Sequence, residues 1–204
     1  TKVGQGQMGE VEKLRQAGVD TICYRSRHTV YFENKYGEDS NNRTQRVLAK
    51  ADPFTIEEMR PLEARVFHLG SLLADDFSAE VVKYLATKGL VSIDVQGYLR
   101  EVVDEDVRAI AWQNQKEILA ATSILKLNEH EMEVITNSTD PRTVARQLAA
   151  QGVKEVVITL GSYGSLIYAD GHFHEIPAYK PRQVVDATGC GDTYCAGYLY
   201  CRSQ

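Results

Sequence analysis

From residue 55 onward the apolar positions switch repeatedly between a helical period and the period of two expected of a strand. This alternation constrains the fold more than any other feature of the chain. Thr55-Ile56-Glu57-Glu58 is a capping box, in which hydroxyl and carboxylate satisfy backbone N–H groups at a helix start. Arg65 to Gly70 then reads as a short strand. Ser78 opens an amphipathic stretch through Val81, Val82 and Leu85 that stops at Gly89, and Leu90 to Val95 is the next strand. A long helix is expected from Asp104 to Ala121, followed by a strand at Ile124 to Leu127 and a short helix from Glu129 to Ile135. Asp140-Pro141, an N-cap followed by proline at the first helical position, launches a helix that ends at Gly152. Val156 to Leu160 is nearly all apolar and β-branched, as suits a strand buried on both faces. Strands separated by helices of this length need crossover connections, so the pattern predicts an α/β domain with a mainly parallel sheet.

Two regions depart from the pattern. Ser165 to Ala169 and His172 to Ile176 flank Asp170-Gly171, a strong hairpin signal. In the first fifty residues, Gly6 to Ala17 looks helical, whereas Thr21 to Arg27 and Thr29 to Phe32 read as strands. The polar, turn-rich stretch from Tyr36 to Arg46 leads into Gln45 to Leu48. Residues 21 to 48 are therefore expected to form a small antiparallel patch beside the main sheet. Such a patch serves as a lid over a ligand, as a surface that pairs with a second copy, or as a plain surface hairpin. The whole chain of 204 residues, 1 to 204, fits one domain.

Composition narrows the classes of function. With 43% hydrophobic and 25% charged residues the chain is globular rather than disordered. A net charge of −5 offers no electrostatic footprint for nucleic acid or an anionic membrane. No apolar run approaches the roughly 18 residues of a membrane helix, and the start is no signal peptide. Cys23, Cys190, Cys195 and Cys201 form no C-x-x-C pair, which points to reduced thiols in a cytoplasmic protein and away from structural zinc. His172 and His174 share one face of a strand but have no third ligand nearby.

The chemistry concentrates in Val184-Val185-Asp186-Ala187-Thr188-Gly189-Cys190-Gly191-Asp192-Thr193-Tyr194. An apolar strand end runs through two glycines into a helical pattern, where free N–H groups and the helix dipole favour an anion. A carboxylate at that position repels an anion unless it has a task such as taking a proton from an attacking hydroxyl. Taken alone, G-x-G-D fits a plain helix start that Asp192 merely caps.

The wider string closely resembles the second signature of the ribokinase/phosphofructokinase-B (pfkB) family of carbohydrate kinases, D-T-x-G-A-G-D-x-F/Y. Asp186, Thr188, Gly189, Gly191, Asp192 and Tyr194 fit it, while Ala187 and Cys190 are small replacements. Lys126-Leu127-Asn128-Glu129-His130-Glu131 is similar to the family's N-x-x-E element. Thr159-Leu160-Gly161-Ser162-Tyr163-Gly164 is similar to its T-L-G-x-x-G loop, and Val3-Gly4 to Asp20 to its V-G-x-D-x-x-G segment. The resemblance implies a ribokinase-like three-layer αβα sandwich with a small β lid, and an ATP-dependent kinase acting on a hydroxyl of a sugar, polyol or nucleoside.

It further implies Asp192 as general base and the amides around Gly189, Cys190 and Gly191 as anion hole. Asn128 and Glu131 would act near the phosphates and Mg²⁺, with Glu131 reaching the metal through water. Thr159, Leu160, Gly161, Ser162, Tyr163 and Gly164 would contact the nucleotide. Asp186 and Thr188 match positions that hold K⁺ in many members, and a homodimer through the lid is a further implication. Ser92-Ile93-Asp94-Val95-Gln96-Gly97-Tyr98-Leu99-Arg100 replaces the D-x-N-x-R string of ribose kinases and is similar to inositol- or nucleoside-type members. Family segments before Val3 and after Asp192 find no counterpart, so the chain is expected to be truncated at both ends. A non-catalytic regulator of the same fold is the rival reading, against which Asp192 and Glu131 argue together. A Rossmann dehydrogenase lacks its G-x-G-x-x-G after a first strand.

Overall fold

Burial separates the main strands into two faces with different jobs. Val91, Ile93, Leu125, Leu127, Val156 and Ile158 are at most 0% exposed and form the centre of a single core. Their neighbours along the strands, Ser92, Asp94, Lys126 and Asn128, are polar and point the other way, because successive side chains of a strand alternate. The computed structural model describes residues 1–36, 43–183 and 188–204.

In chain order the elements begin with β1 (Lys2–Val3), α1 (Met8–Gln16), β2 (Tyr24–Arg25), β3 (Tyr31–Tyr36) and β4 (Arg43–Ala49). There follow α2 (Ile56–Met59), β5 (Val66–Leu69), α3 (Ala79–Ala86) and β6 (Leu90–Asp94). A one-turn 3₁₀ segment (Val95–Leu99) leads into β7 (Arg100–Val103), β8 (Asp106–Ala109) and α4 (Gln115–Ala120). The rest comprises β9 (Ile124–Asn128), α5 (Glu129–Thr136), α6 (Pro141–Ala150), β10 (Glu155–Thr159), β11 (Ser165–Ala169), β12 (His172–Ile176) and α7 (Cys190–Arg202).

The main sheet has the order β12-β11-β10-β9-β6-β5, with β5, β6, β9 and β10 parallel and the last two strands added as an antiparallel hairpin. Val81, Val82 and Leu85 of α3 and Val144 and Leu148 of α6 fill the apolar face. Helix α7 crosses the polar face, with Tyr194 Oη 2.7 Å from Ser165 Oγ and Tyr198 donating to Glu155 at 2.5 Å. Helices on both faces of a mainly parallel sheet make the three-layer αβα sandwich expected from the motifs. The Thr55 capping box, the Ser78 and Asp140 N-caps and the Asp170-Gly171 hairpin all form.

The expected helix from Asp104 to Ala121 does not exist over most of that length. Asp104 and Glu105 take left-handed φ values of 50° and 69°, and β7 pairs with β8 across them. Two consecutive left-handed residues are the backbone of a type I′ hairpin, whose twist matches its strands. The strands are held from outside as well, since the Arg46 guanidinium of β4 pairs with Glu105 and Val47 N–H donates to the Glu105 carbonyl at 2.7 Å. Only α4 remains of the helix.

The β7–β8 hairpin completes a second sheet of order β3-β4-β8-β7, separate from the main one. The antiparallel patch expected at 21 to 48 is thus β3 and β4, extended by strands from a distant part of the chain. Thr21 to Arg27 supplies only β2, which pairs in parallel with β1, and β3 starts at Tyr31 rather than Thr29. The turn-rich residues 37–42 lie outside the described residues.

Candidate active site

The C-terminal ends of β6, β9 and β10 open into a cleft of about 710 Å³, the place where ligands bind in open α/β sheets. Its floor follows from register. Asp94 and Lys126 are direct partners on neighbouring parallel strands, and Asn128 and Thr159 are partners on the next pair. Lys126 Nζ therefore meets Asp94 Oδ2 at 2.8 Å, with side chains only 8% and 10% exposed. Burial alone would lower the Lys126 ammonium, but the Asp94 carboxylate beside it wins and holds it above the usual lysine range.

Helix α7 closes one end of the cleft. Gly189 is its N-cap, at a left-handed φ of 77°, and no side chain caps this helix start. The first intrahelical bond is Thr193 N–H to the Gly189 carbonyl at 2.9 Å, so the amides of Cys190, Gly191 and Asp192 have no partner within the helix. Thr188, Gly189, Cys190, Gly191 and Asp192 all line the cleft. A Cβ on Gly191 would stand 3.0 Å from Lys126 Nζ, so the buried ammonium and the helix N-terminus address the same space. That arrangement suits a phosphoryl group: oriented N–H donors, a positive helix end and a fixed cation.

Asn128 and Glu131 form a second capping box at the start of α5. Asn128 Oδ1 accepts from His130 and Glu131 N–H, and Glu131 Oε2 accepts from Asn128 N–H, each at 2.9 Å. Asn128 lines the cleft, whereas Glu131 is 8% exposed and sits behind it. Burial pushes the Glu131 carboxyl up, and Asp94 adds to this against the pull of Lys126 and Arg100.

The Thr159–Gly164 turn contributes Thr159, Gly161 and Gly164 to the cleft wall. Gly164, at a φ of 101°, tolerates no side chain, because a Cβ would fall 2.0 Å from the Ile176 carbonyl oxygen. Leu160 and Tyr163 face a neighbouring depression beside Asp140 and Arg142, and Ser162 lines neither. Asp186 lies outside the described residues.

The opposite wall comes from the second sheet and the 3₁₀ segment: Phe32, Asn34, Gln45, Gln96 and Arg100. Asp94, Gln96 and Arg100, singled out in the sequence as a substrate string, are thereby brought into the cleft. The motif that contains Lys126 implies no role for it. Its signal was the alternation of polar residues along buried strands, Ser92 and Asp94 on one and Lys126 and Asn128 on the next. Beneath α7, the His68 ring lies 3.1 Å from Ser92 Oγ and 3.7 Å from Cys195 Sγ. Burial raises that thiol to about 11 and lowers the His68 imidazole against the pull of Asp94 and Asp192. Among the described residues no helix is long and apolar enough to cross a membrane.

Comparisons with known proteins agree with this geometry. A cytidine kinase of Thermococcus kodakarensis is 34% identical over 140 residues, covering 68% of this chain and 48% of the relative. A nucleoside kinase of Methanocaldococcus jannaschii is 31% identical over 124 residues, 61% of this chain and 37% of the relative. The chain thus spans less than half the length of these relatives. Among solved structures, a sulfate complex of a pyrophosphate-dependent kinase in the ribokinase family superposes with a TM-score of 0.88 at 28% identity, over 98% of this chain and 70% of that one. A pyrophosphate-dependent ribokinase-family kinase with a pyrophosphate analogue and myo-inositol gives 0.87 at 27% identity, over the same 98% and 70%. The profile of the pfkB family of carbohydrate kinases matches residues 1–204, and with the cleft built as described the chain belongs to that family.

Proposed function

We propose that this protein is a Mg²⁺-dependent phosphotransferase that moves the terminal phosphoryl group of ATP onto a hydroxyl of a polyol, sugar or nucleoside. The observation that carries the reading is the start of α7: an uncapped helix N-terminus facing the cleft, with Asp192 in its first turn and Lys126 beside it. The N-cap is Gly189, which has no side chain to cap the helix, and the Asp192 carboxylate stands at the third helical position on the cleft side.

The roles follow from chemistry. Asp192 accepts the proton of the acceptor hydroxyl, whose oxygen attacks the terminal phosphorus as the bond to the leaving phosphate oxygen breaks. The amides of Cys190 and Gly191 and the Lys126 ammonium stabilise the charge carried by the phosphoryl oxygens in transit. Asn128 and the Thr159–Gly164 turn hold the donor, and the lid strands β3 and β4 enclose the acceptor. Among the described residues no three acidic, histidine or cysteine side chains form a metal cage. Mg²⁺ needs none, since it keeps several waters and binds through donor phosphates and one or two carboxylates. Asn128 lines the cleft directly and Glu131 stands one layer behind it, which fits a metal reached through water. When bound, the ion neutralises the donor phosphates. Thr188, beside Gly189, with Asp186, would hold a monovalent cation.

A second reading concerns the donor. The structural relatives at 28% and 27% identity are pyrophosphate-dependent kinases. Pyrophosphate in place of ATP is favoured by that likeness and by a cleft whose cationic end is built for phosphate rather than for a base. The test uses the full-length protein, ATP or pyrophosphate as donor, and myo-inositol, cytidine and fructose as acceptors, with and without excess chelator. Transfer that stops in chelator supports the reading. Full activity in chelator removes the metal from it, and no transfer with either donor to any acceptor sinks the kinase reading in favour of a binding protein.

A further inference from the structure

Three parts of the cleft wall meet at one serine. Ser165 is the first residue of β11, and its backbone pairs with Thr159 of β10 on one side and Ile176 of β12 on the other. Thr159, Ser165 and Ile176 all line the cleft. The backbone around them is tightly closed. Leu160 N–H donates to the Gly164 carbonyl at 2.8 Å across the turn. A Cβ on Gly164 would collide with the Ile176 carbonyl oxygen and stand 2.8 Å from the Ala178 nitrogen. The turn that is proposed to hold the donor is therefore braced at Ser165, which is buried at 4% exposure.

Ser165 Oγ lies 2.7 Å from Tyr194 Oη. Among the described residues Tyr194 is the first of α7 whose side chain bonds to the sheet, because Gly189 offers no cap and the amides after it face the cleft. Helical side chains lean toward the N-terminus, so the Tyr194 ring lies over the turn that carries Cys190 and Gly191. Farther along the same stripe, Tyr198 Oη at 2.5 Å and Arg202 Nε at 3.1 Å reach the Glu155 carboxylate. The Tyr194 and Tyr198 rings stack between the two attachments, with their planes 9° apart.

The attachments differ in what they touch. None of Glu155, Tyr198 and Arg202 lines the cleft, whereas Tyr194 and Ser165 both do. The family signature admits phenylalanine where Tyr194 stands, so the ring is the general requirement and the hydroxyl is a feature of this chain. We infer that the Tyr194–Ser165 bond is a positioning contact. It sets the spacing between the amides at the start of α7 and the Thr159–Gly164 turn, so that both engage one phosphate donor at once. The inference rests on the proposed phosphotransferase reading. Tyr194 and Ser165 act through those backbone groups and not on the reacting atoms.

Donor binding is measured first and turnover second. Pyrophosphate and ATP are each titrated calorimetrically, with Mg²⁺, into the full-length protein and into Tyr194→Phe, Ser165→Ala and the double variant. Steady-state rates then give KM for donor and acceptor separately. Each single variant is expected to weaken donor binding about fivefold, the worth of one net hydrogen bond, and to leave the acceptor KM unchanged. Both singles break the same bond, so the double variant should bind no more weakly than either. Tyr198→Phe is the structural counterpart, expected to lower the urea midpoint without moving donor affinity. Tyr194→Phe keeps the ring and its packing, and it remains the test if Ser165→Ala does not fold. Unchanged donor affinity in Tyr194→Phe overturns the inference. So do additive losses in the double variant, or an equal loss of donor affinity in Tyr198→Phe, which would make the bond one general anchor among several. If the variants lose donor affinity in the expected pattern but the unaltered protein transfers no phosphoryl group, the positioning stands and the kinase reading falls. An unaltered protein that binds neither donor overturns both.

Discussion

The two walls of the cleft are made of different material. At the α7 wall the groups that face the ligand space are backbone amides at a helix start, backed by a buried ammonium whose position is fixed by strand register. At the β3–β4 wall they are the Phe32 ring and two side-chain amides, Asn34 exposed and Gln45 half-buried, on strands of a small second sheet. Backbone donors offer the same geometry whatever the side chains are, so the first wall suits a group common to many reactions. Side chains are what distinguishes one ligand from another, so the second wall suits the partner that varies. On the proposed reading specificity and chemistry sit on different walls, so each can be perturbed with the other left standing.

The largest effect is expected from Asp192→Asn, which keeps size but cannot take a proton. In the full-length protein kcat should fall by about 10²–10⁴-fold with every acceptor alike, while donor affinity holds. A loss confined to one acceptor would put Asp192 on the specificity side and break the comparison. Next comes Lys126→Met, which leaves the Asp94 carboxylate buried without its partner. Urea denaturation should show a loss of about 3–5 kcal/mol, and the double change with Asp94→Asn should recover most of it. Recovery of stability without recovery of turnover would separate the structural part of the pair from its part in holding phosphate.

Gly189→Ala meets no atom within 4 Å, so its cost is the left-handed backbone alone, about 1–2 kcal/mol in the same measurement. The smallest effect belongs to Glu131. Burial raises its carboxyl above the usual range, so the folded protein keeps this proton at a pH where the unfolded chain has lost it. The stabilisation is full below the unfolded pKa and is lost as pH rises through the folded one. The denaturation midpoint should therefore drop across the weakly acidic range, and Glu131→Gln should flatten that slope without altering acceptor preference.

How much of this was legible in the sequence depends on how local each feature is. The α7 start, the Asn128 cap and the Thr159–Gly164 turn are runs of consecutive residues whose types are dictated by backbone geometry, and they were readable as motifs. Asp94 and Lys126 are 32 residues apart, and only the pairing of β6 with β9 joins them. Asp94 belongs to the substrate string and Lys126 to the N-x-x-E motif, but nothing in either run of residues tells that the two side chains meet. The β7–β8 hairpin was hidden by its turn. Asp104-Glu105 lacks the Gly or Asn that usually takes left-handed φ, and the surrounding charges mimic a helix surface. Asn34 and Gln45 carry no motif at all, and only the cross-strand register of β3 and β4 brings them together at the cleft.

The second sheet takes β7 and β8 from a part of the chain that follows β5, α3 and β6. In folding terms, β3 and β4 can pair as a local hairpin as soon as both exist. Their neighbour β8 arrives only after two strands and two helices of the main sheet have been made. Closing that gap costs chain entropy that no local contact repays, so the support behind Arg46 and Val47 belongs among the late steps of folding. On a growing chain the hairpin that carries Asn34 and Gln45 is consequently synthesised early and braced late, and for that interval its open edge is exposed to strand pairing with other chains.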